Sequence, residues 1–247
     1  MPTLTIQPSG ADSELRNNEA ANNYGSSALF KVRGGAIIYR APLKFDFSAL
    51  PARTTITGAT LSIYFFEVHA GLDAVGRTYE ANRITQIGWT EGSGGINDVS
   101  WNKYTTGNAW ASGGGDFTTT NQATAVVPVV GNWIDFDVKD QVIYAHNSVS
   151  DIAHFLIKDQ TEGGTDKSSK FYSNDEVTNL TLRPKLVITY TLISSISTAL
   201  PTGLYSGVKE KHPKDGWENE KNFFVEQSSP HPCIVQYWDL FVDTTNE

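Results

Sequence analysis

Residues 40–66, RAPLKFDFSALPARTTITGATLSIYFF, constrain the fold more than any other part of the chain. Leu43, Phe45 and Phe47 alternate with Lys44 and Asp46. After a turn opened by Leu50-Pro51, Leu61, Ile63 and Phe65 alternate with Ser62 and Tyr64. A period of two sends successive side chains to opposite sides of a strand, so each strand has one apolar face and one wetter face. Apolar faces of this kind are dried by closing two antiparallel sheets on each other.

Further strands are expected at 4–6, 28–32, 37–47, 59–66, 77–84, 124–130, 133–138, 153–159, 169–172 and 184–192. Clusters such as Asn22-Asn23-Tyr24-Gly25 and Glu162-Gly163-Gly164 supply the turns between them. Only 138–146, with Val138, Val142 and Ile143 on one side, has a helical pattern. About ten strands with turn-rich links predict an all-β fold, a jelly-roll-like antiparallel β-sandwich with a C-terminal extended arm. The single cysteine, Cys233, excludes an internal disulfide, and a sandwich of this size needs none.

The formal charge is −8, with 15 Lys+Arg against 19 Asp+Glu in residues 1–190 and 4 against 8 in 191–247. Neither part has a basic run, which argues against nucleic acid as a partner. No stretch approaches the roughly 20 apolar residues that span a bilayer, so membrane insertion is not expected. The N-terminus lacks the charged and apolar regions of a secretory signal, and release by another route is expected.

A boundary is expected near residue 191, where SSISTALPTG reads as a small-residue linker and SGVKEKHPKDGWENEKN as an aperiodic polar segment. Residues 1–190 are then the sandwich and 191–247 an assembly arm. One apolar strand cannot form a core alone, so Trp217, Phe223, Phe224, Ile234, Tyr237, Trp238, Leu240 and Phe241 are expected at contacts with neighbouring subunits or with the chain's own domain.

The chain resembles the DNRLRE domain, a jelly-roll-like module related to alginate-binding carbohydrate-binding modules. The resemblance rests on Asp12 to Leu15, Asn23-Tyr24-Gly25, Arg40 with Leu43-Lys44-Phe45-Asp46, Leu50-Pro51, and ITGATL at 56–61. It continues through Trp89-Thr90-Glu91, Val99-Ser100-Trp101-Asn102, Trp110 with Gly114-Gly115-Asp116-Phe117, WIDFDV at 133–138, Phe155-Leu156-Ile157-Lys158 and Arg183-Pro184 with Leu186. It implies a non-catalytic module found on secreted or surface proteins and on phage structural proteins. The ending WENEKN followed by an apolar strand is similar to some tailed-phage structural proteins. The expected role is therefore a virion decoration or tail component, made in the host cytoplasm, with other virion proteins and copies of itself as partners. The alternative is a free-standing or surface module for acidic polysaccharides, placed outside the cell.

Three groups of residues are candidates for binding. Trp89, Trp101 and Trp110 fall in the longest irregular region, 88–117, where indole rings can stack on sugar faces or plug the end of the sandwich. Arg40, Lys44 and Lys158 can meet the carboxylates of an acidic glycan or form cross-strand ion pairs. Asp135, Asp137 and Asp140 can contribute oxygen ligands to calcium or face solvent; with no DxDxDG loop present, no metal is expected. No HExxH, GxSxG or Walker-type motif occurs, and neither catalysis nor a cofactor is expected.

Overall fold

The computed structural model of the protein describes residues 1–148 and 150–193. The expected arm and its eight contact residues lie outside the described residues. In chain order the strands are β1 (Thr3–Ile6), β2 (Ala11–Asp12), β3 (Leu15–Arg16), β4 (Leu29–Gly34), β5 (Tyr39–Asp46), β6 (Thr54–Val68), β7 (Thr78–Ile84), β8 (Lys103–Thr105), β9 (Asn108–Ala109), β10 (Phe117–Val126), β11 (Asn132–Asp137), β12 (Ile152–Asp159), β13 (Lys167–Tyr172) and β14 (Lys185–Leu192), with the helix α1 (Lys139–Asn147) between β11 and β12.

Twelve strands join in one antiparallel sheet, ordered β1-β14-β6-β13-β4-β5-β12-β7-β10, with β11 paired to β6 and both β2 and β3 to β5; β8 and β9 form a separate ladder. The sheet curls on itself. Between β4 and β5 the ladder thins to one pair, Arg33 with Tyr39. One wall runs from β1 to β4 and carries β11; the other is β5, β12, β7 and β10. The result is the all-β, jelly-roll-like sandwich that the alternation predicts.

Leu43, Phe45 and Phe47 from one wall and Leu61, Ile63 and Phe65 from the other are fully buried in a single core, with Phe30, Phe136, Phe155, Phe171 and Ile188. Tyr79 crosses between the walls: its hydroxyl meets Ser169 Oγ at 3.0 Å, and its ring meets Phe171 edge-on at 6.3 Å. Burying an aromatic or branched aliphatic side chain of this kind stabilises by about 1.5–3 kcal/mol, so the inner faces dominate the energetics.

β12 is buried on both faces. Phe155 and Ile157 point into the main core, whereas Leu156 points outward yet is equally inaccessible. It belongs to a second core with Ala11, Leu15, Ile84, Trp89, Val99 and Trp110. The 85–117 connection therefore lies over the outer face of this wall as a lid.

Two expectations change in detail. β10 begins at Phe117 rather than near 124, because Phe117 and Thr118 already pair with Ile84 and Arg83 of β7 before a register shift carries the ladder on to Ala123. It ends at Val126, ahead of Pro128, which has no N–H to donate to a ladder. The helix lies at 139–147, one residue later than the expected 138–146, with Val138 as its N-cap.

Candidate functional site

Two surfaces compete for the role: the lidded wall, which holds every residue singled out for glycan contact, and the opposite wall, which holds none. On the lidded wall Trp89 is 1% exposed and Trp110 5%. The Trp89 indole N–H donates to His154 Nδ1 at 3.0 Å, and that of Trp110 to the Ser100 carbonyl at 2.9 Å. Both rings pack on Leu156 and Leu15 in the second core, with Trp101 half-buried beside them. Burial pushes His154 down to about 4, with Lys44 adding to the effect, so its ring is neutral and Nδ1 accepts the indole proton.

The three candidate cations are also engaged within the protein. Arg40 grips Glu162 through two parallel bonds of 2.6 and 2.7 Å, donates to the Gly114 carbonyl at 2.9 Å, and lies 5.0 Å from the Trp101 ring centroid. Lys158 is 8% exposed and reaches Glu80 at 3.2 Å and Glu162 at 3.8 Å. Lys44 donates to the Trp89 carbonyl at 3.3 Å and sits 4.7 Å from its ring centroid. Burial holds the Lys44 ammonium below its ordinary range, partly offset by Glu91. Arg40 and Lys44 fasten the lid, whereas Lys158 ties β12 to β7 and to Glu162.

Asp12, Asn23 and Glu91, far apart in sequence, meet at the edge of the lid. Asp12 Oδ2 accepts from Ser9 Oγ and from the Asn174 N–H, both at 2.8 Å, and the Asp12 N–H donates to Glu91 Oε1 at 2.7 Å. Asn23 donates to the carbonyls of Glu91 and Val99 and accepts the N–H groups of Gly25 and Gly94. Burial raises the Asp12 carboxyl to about 8. Gly25 is required here, since a Cβ would stand 2.1 Å from the Glu91 carbonyl oxygen. Such a network holds loops in one arrangement.

The opposite wall presents a different surface. Trp133 on β11 pairs directly with Tyr64 on β6, and Tyr172 lies on β13 along the other edge of β6. The ring centroids of Trp133 and Tyr64 are 5.3 Å apart, those of Tyr64 and Tyr172 6.3 Å, and those of Tyr172 and Phe66 4.2 Å. Tyr64, Tyr172 and Phe66 are nearly parallel, at 7° and 11°, while Trp133 meets Tyr64 at 69° and makes a corner. All four are only partly buried. Among the described residues, Trp133 Nε1, Tyr64 Oη and Tyr172 Oη have no hydrogen-bond partner. Lys185 Nζ lies 4.0 Å from the Trp133 ring centroid. A row of amphipathic rings with free polar tips can take the C–H face of a sugar and bond its hydroxyls at once.

Comparison with known proteins finds that carbohydrate-binding module family 96 matches residues 3–190. The chain belongs to that family. No curated protein matches it. The matched span runs from β1 into β14 and so takes in both walls of the sandwich.

Sequence reasoning passed over Trp133, Phe66 and Tyr172 as ligand contacts, although a signal existed. In WIDFDV, Trp133 shares parity with Asp135 and Asp137 and opposes the buried Ile134 and Phe136. A large aromatic on the wet face of an amphipathic strand has a reason other than the core to be there. Two of the three aspartates considered for calcium serve local bonds: Asp135 accepts from Ser62 Oγ at 2.6 Å and Asp137 from the Lys139 N–H at 3.2 Å. Among the described residues, no group of three or more His, Cys, Asp or Glu side chains is placed to hold a metal ion.

Proposed function

We propose that this chain is a non-catalytic glycan-binding module acting outside the cell or at a surface, and that its ligand lies along Trp133, Tyr64, Tyr172 and Phe66. The observation that carries this reading is the partly open aromatic row on the face of a carbohydrate-binding sandwich. The lidded wall supports it by contrast: Trp89 and Trp110 are buried, Arg40 and Lys158 are paired with Glu162 and Glu80, and Lys44 is bonded to the Trp89 carbonyl. The virion role expected from the tail draws no support from the family match, which favours the alternative of a surface or free-standing module. In this reading residues 1–190 are the binding unit and 191–247 a separate arm that meets copies of the chain or neighbouring proteins. Kinship with the DNRLRE domain is part of the same proposal.

The test is a glycan array probed with the full chain and with Trp133→Ala and Tyr172→Ala. The expected result is binding by the parent and a loss of about tenfold or more in each variant, from the removal of a stacking ring. Because these rings lie outside the core, melting temperatures should stay within a few degrees of the parent. An array that remains silent with the parent chain, or binding that both variants retain in full, would overturn the assignment.

A further inference from the structure

Alternation along β7 puts Tyr79, Ala81 and Arg83 on one face. Tyr79 and Ala81 are core residues, so Arg83 comes where the core gives way to α1. There its guanidinium lies 3.8 Å from the centroid of the Tyr144 ring on α1. Arg83, Gln141, Tyr144, Ser148, Ser150 and Phe155 help to line a cavity of about 160 Å³ between α1, β7 and β12. Ile87 and Tyr144, both exposed, stand among the lining side chains, so the cavity opens to solvent. The aromatic row is carried on β6, β11 and β13, and the two places share no residue.

The cavity holds one unmatched charge and one unmatched acceptor. Among the described residues no carboxylate is paired with Arg83. The other basic side chain in the lining, His154, is neutral because burial pushes it down to about 4. A guanidinium stacked on a ring keeps its in-plane fork of N–H donors available to a carboxylate. Gln141 is 2% exposed. Its Nε2 donates to the carbonyls of Ala81 at 2.8 Å and Asn121 at 3.0 Å. Those two bonds fix the amide, since the flipped form would set Oε1 against two acceptors. Oε1 is therefore left buried without a partner, an unfavourable state that a donor on a ligand relieves. Ser148 and Ser150 do not supply that donor, because both hydroxyls are given to the Ala145 carbonyl, at 2.9 and 3.3 Å.

We propose that this cavity binds a small α-hydroxy carboxylate, with the carboxylate on the Arg83 guanidinium and the hydroxyl donating to Gln141 Oε1. The volume is well under the roughly 300–1,000 Å³ of drug-sized sites, which suits a molecule of a few carbons. A simple carboxylate leaves Oε1 unsatisfied, and a diol leaves Arg83 unpaired. An α-amino acid offers the same carboxylate, but its ammonium meets neutral acceptors and no anion, so its desolvation is uncompensated.

Lactate, alanine and propionate differ at the α-carbon alone and are the probes, with propylene glycol as the partner lacking a carboxylate and inorganic phosphate as the competing anion. Ligand-observed NMR titrations of the full chain at pH 7 measure each affinity. The expected result is lactate binding about tenfold tighter than propionate, alanine or propylene glycol, and tighter than phosphate. Arg83→Gln should weaken lactate by about tenfold or more, with a melting temperature close to that of the parent because Arg83 is only partly buried. Trp133→Ala should leave lactate binding unchanged. Equal affinity for lactate and propionate, tighter binding of phosphate, or no binding of lactate by the parent chain would overturn the proposal, and these comparisons need no variant to fold. Lactate binding that survives Arg83→Gln in a folded chain, or that is lost in Trp133→Ala, would overturn it as well.

Discussion

Replacing Trp89 by Phe separates a packing role from a ligand-binding role. The indole is 1% exposed and its N–H reaches His154 Nδ1 at 3.0 Å. Phe retains a ring in the second core but removes the donor, leaving Nδ1 of a buried histidine without a partner. An unsatisfied buried acceptor costs about 1–3 kcal/mol. At roughly 2–4 °C per kcal/mol for a domain of this size, the melting temperature at pH 7 should fall by about 2–12 °C. The deficit should also depend on pH. His154 titrates at about 4 in the folded chain against an ordinary 6.5. Between those values the unfolded chain holds a proton that the folded chain refuses, so the parent loses stability as pH falls through this window, by up to about 1.4 kcal/mol per unit. In Trp89→Phe, Nδ1 is free to take the proton, the folded pKa rises, and the deficit narrows from pH 6.5 toward 4. Thermal melts of both chains at pH 7, 6 and 5, with glycan binding measured in parallel, check this. Unchanged stability at pH 7 combined with lost glycan binding would show that Trp89 faces the ligand and would refute the argument.

Three other substitutions probe the lid and its edge. Arg40→Lys loses the paired bonds to Glu162 and the bond to the Gly114 carbonyl; urea titration should show a loss of about 1–3 kcal/mol with glycan binding unchanged. Gly114→Ala should destabilise by about 1–3 kcal/mol in thermal melts, because φ is +86° and a Cβ would lie 2.8 Å from Arg40 Nη1 and from the Trp101 ring. Asp12, raised to about 8 from 3.8, keeps a proton that the unfolded chain releases, so its contribution to stability is lost as pH climbs from about 4 to 8. Asp12→Asn should remove that decline, and parallel melting curves against pH for parent and variant would show that Asp12 is ionised in the fold.

The sandwich was legible because its signal is local. Leu43 to Phe47 and Leu61 to Phe65 announce one buried face each, and the continuous run Phe155-Leu156-Ile157 marks a strand covered on both sides. The proposed site was less legible because its geometry is not local. Residues 64, 133 and 172 become neighbours only through the pairing of β11 and β13 with β6, and no periodicity within one strand encodes which strands lie beside it. At Trp89 and Trp110 the structure takes the second of the two readings, rings that plug the sandwich. Their residue type suits sugar stacking and their position in a long connection suggests exposure, yet that connection folds back to cover Leu156, which turns loop aromatics into core.

This division of labour bears on how much the family resemblance says about ligand. The residues that carry it have packing duties: Asp12, Asn23, Gly25 and Glu91 tie the edge of the lid, Arg40 clamps it, and Trp89 and Trp110 fill it. In 133–138, Ile134, Phe136 and Val138 are core residues, and Trp133 is the member that faces outward. Substituting a packing residue costs stability whatever the ligand, whereas substituting a partly open one changes affinity at little cost to the fold. Two chains can therefore share nearly every residue of the resemblance and differ in what they bind. In the proposed site the outward residues are Trp133, Tyr64, Tyr172 and Phe66, a set that can change without disturbing either core.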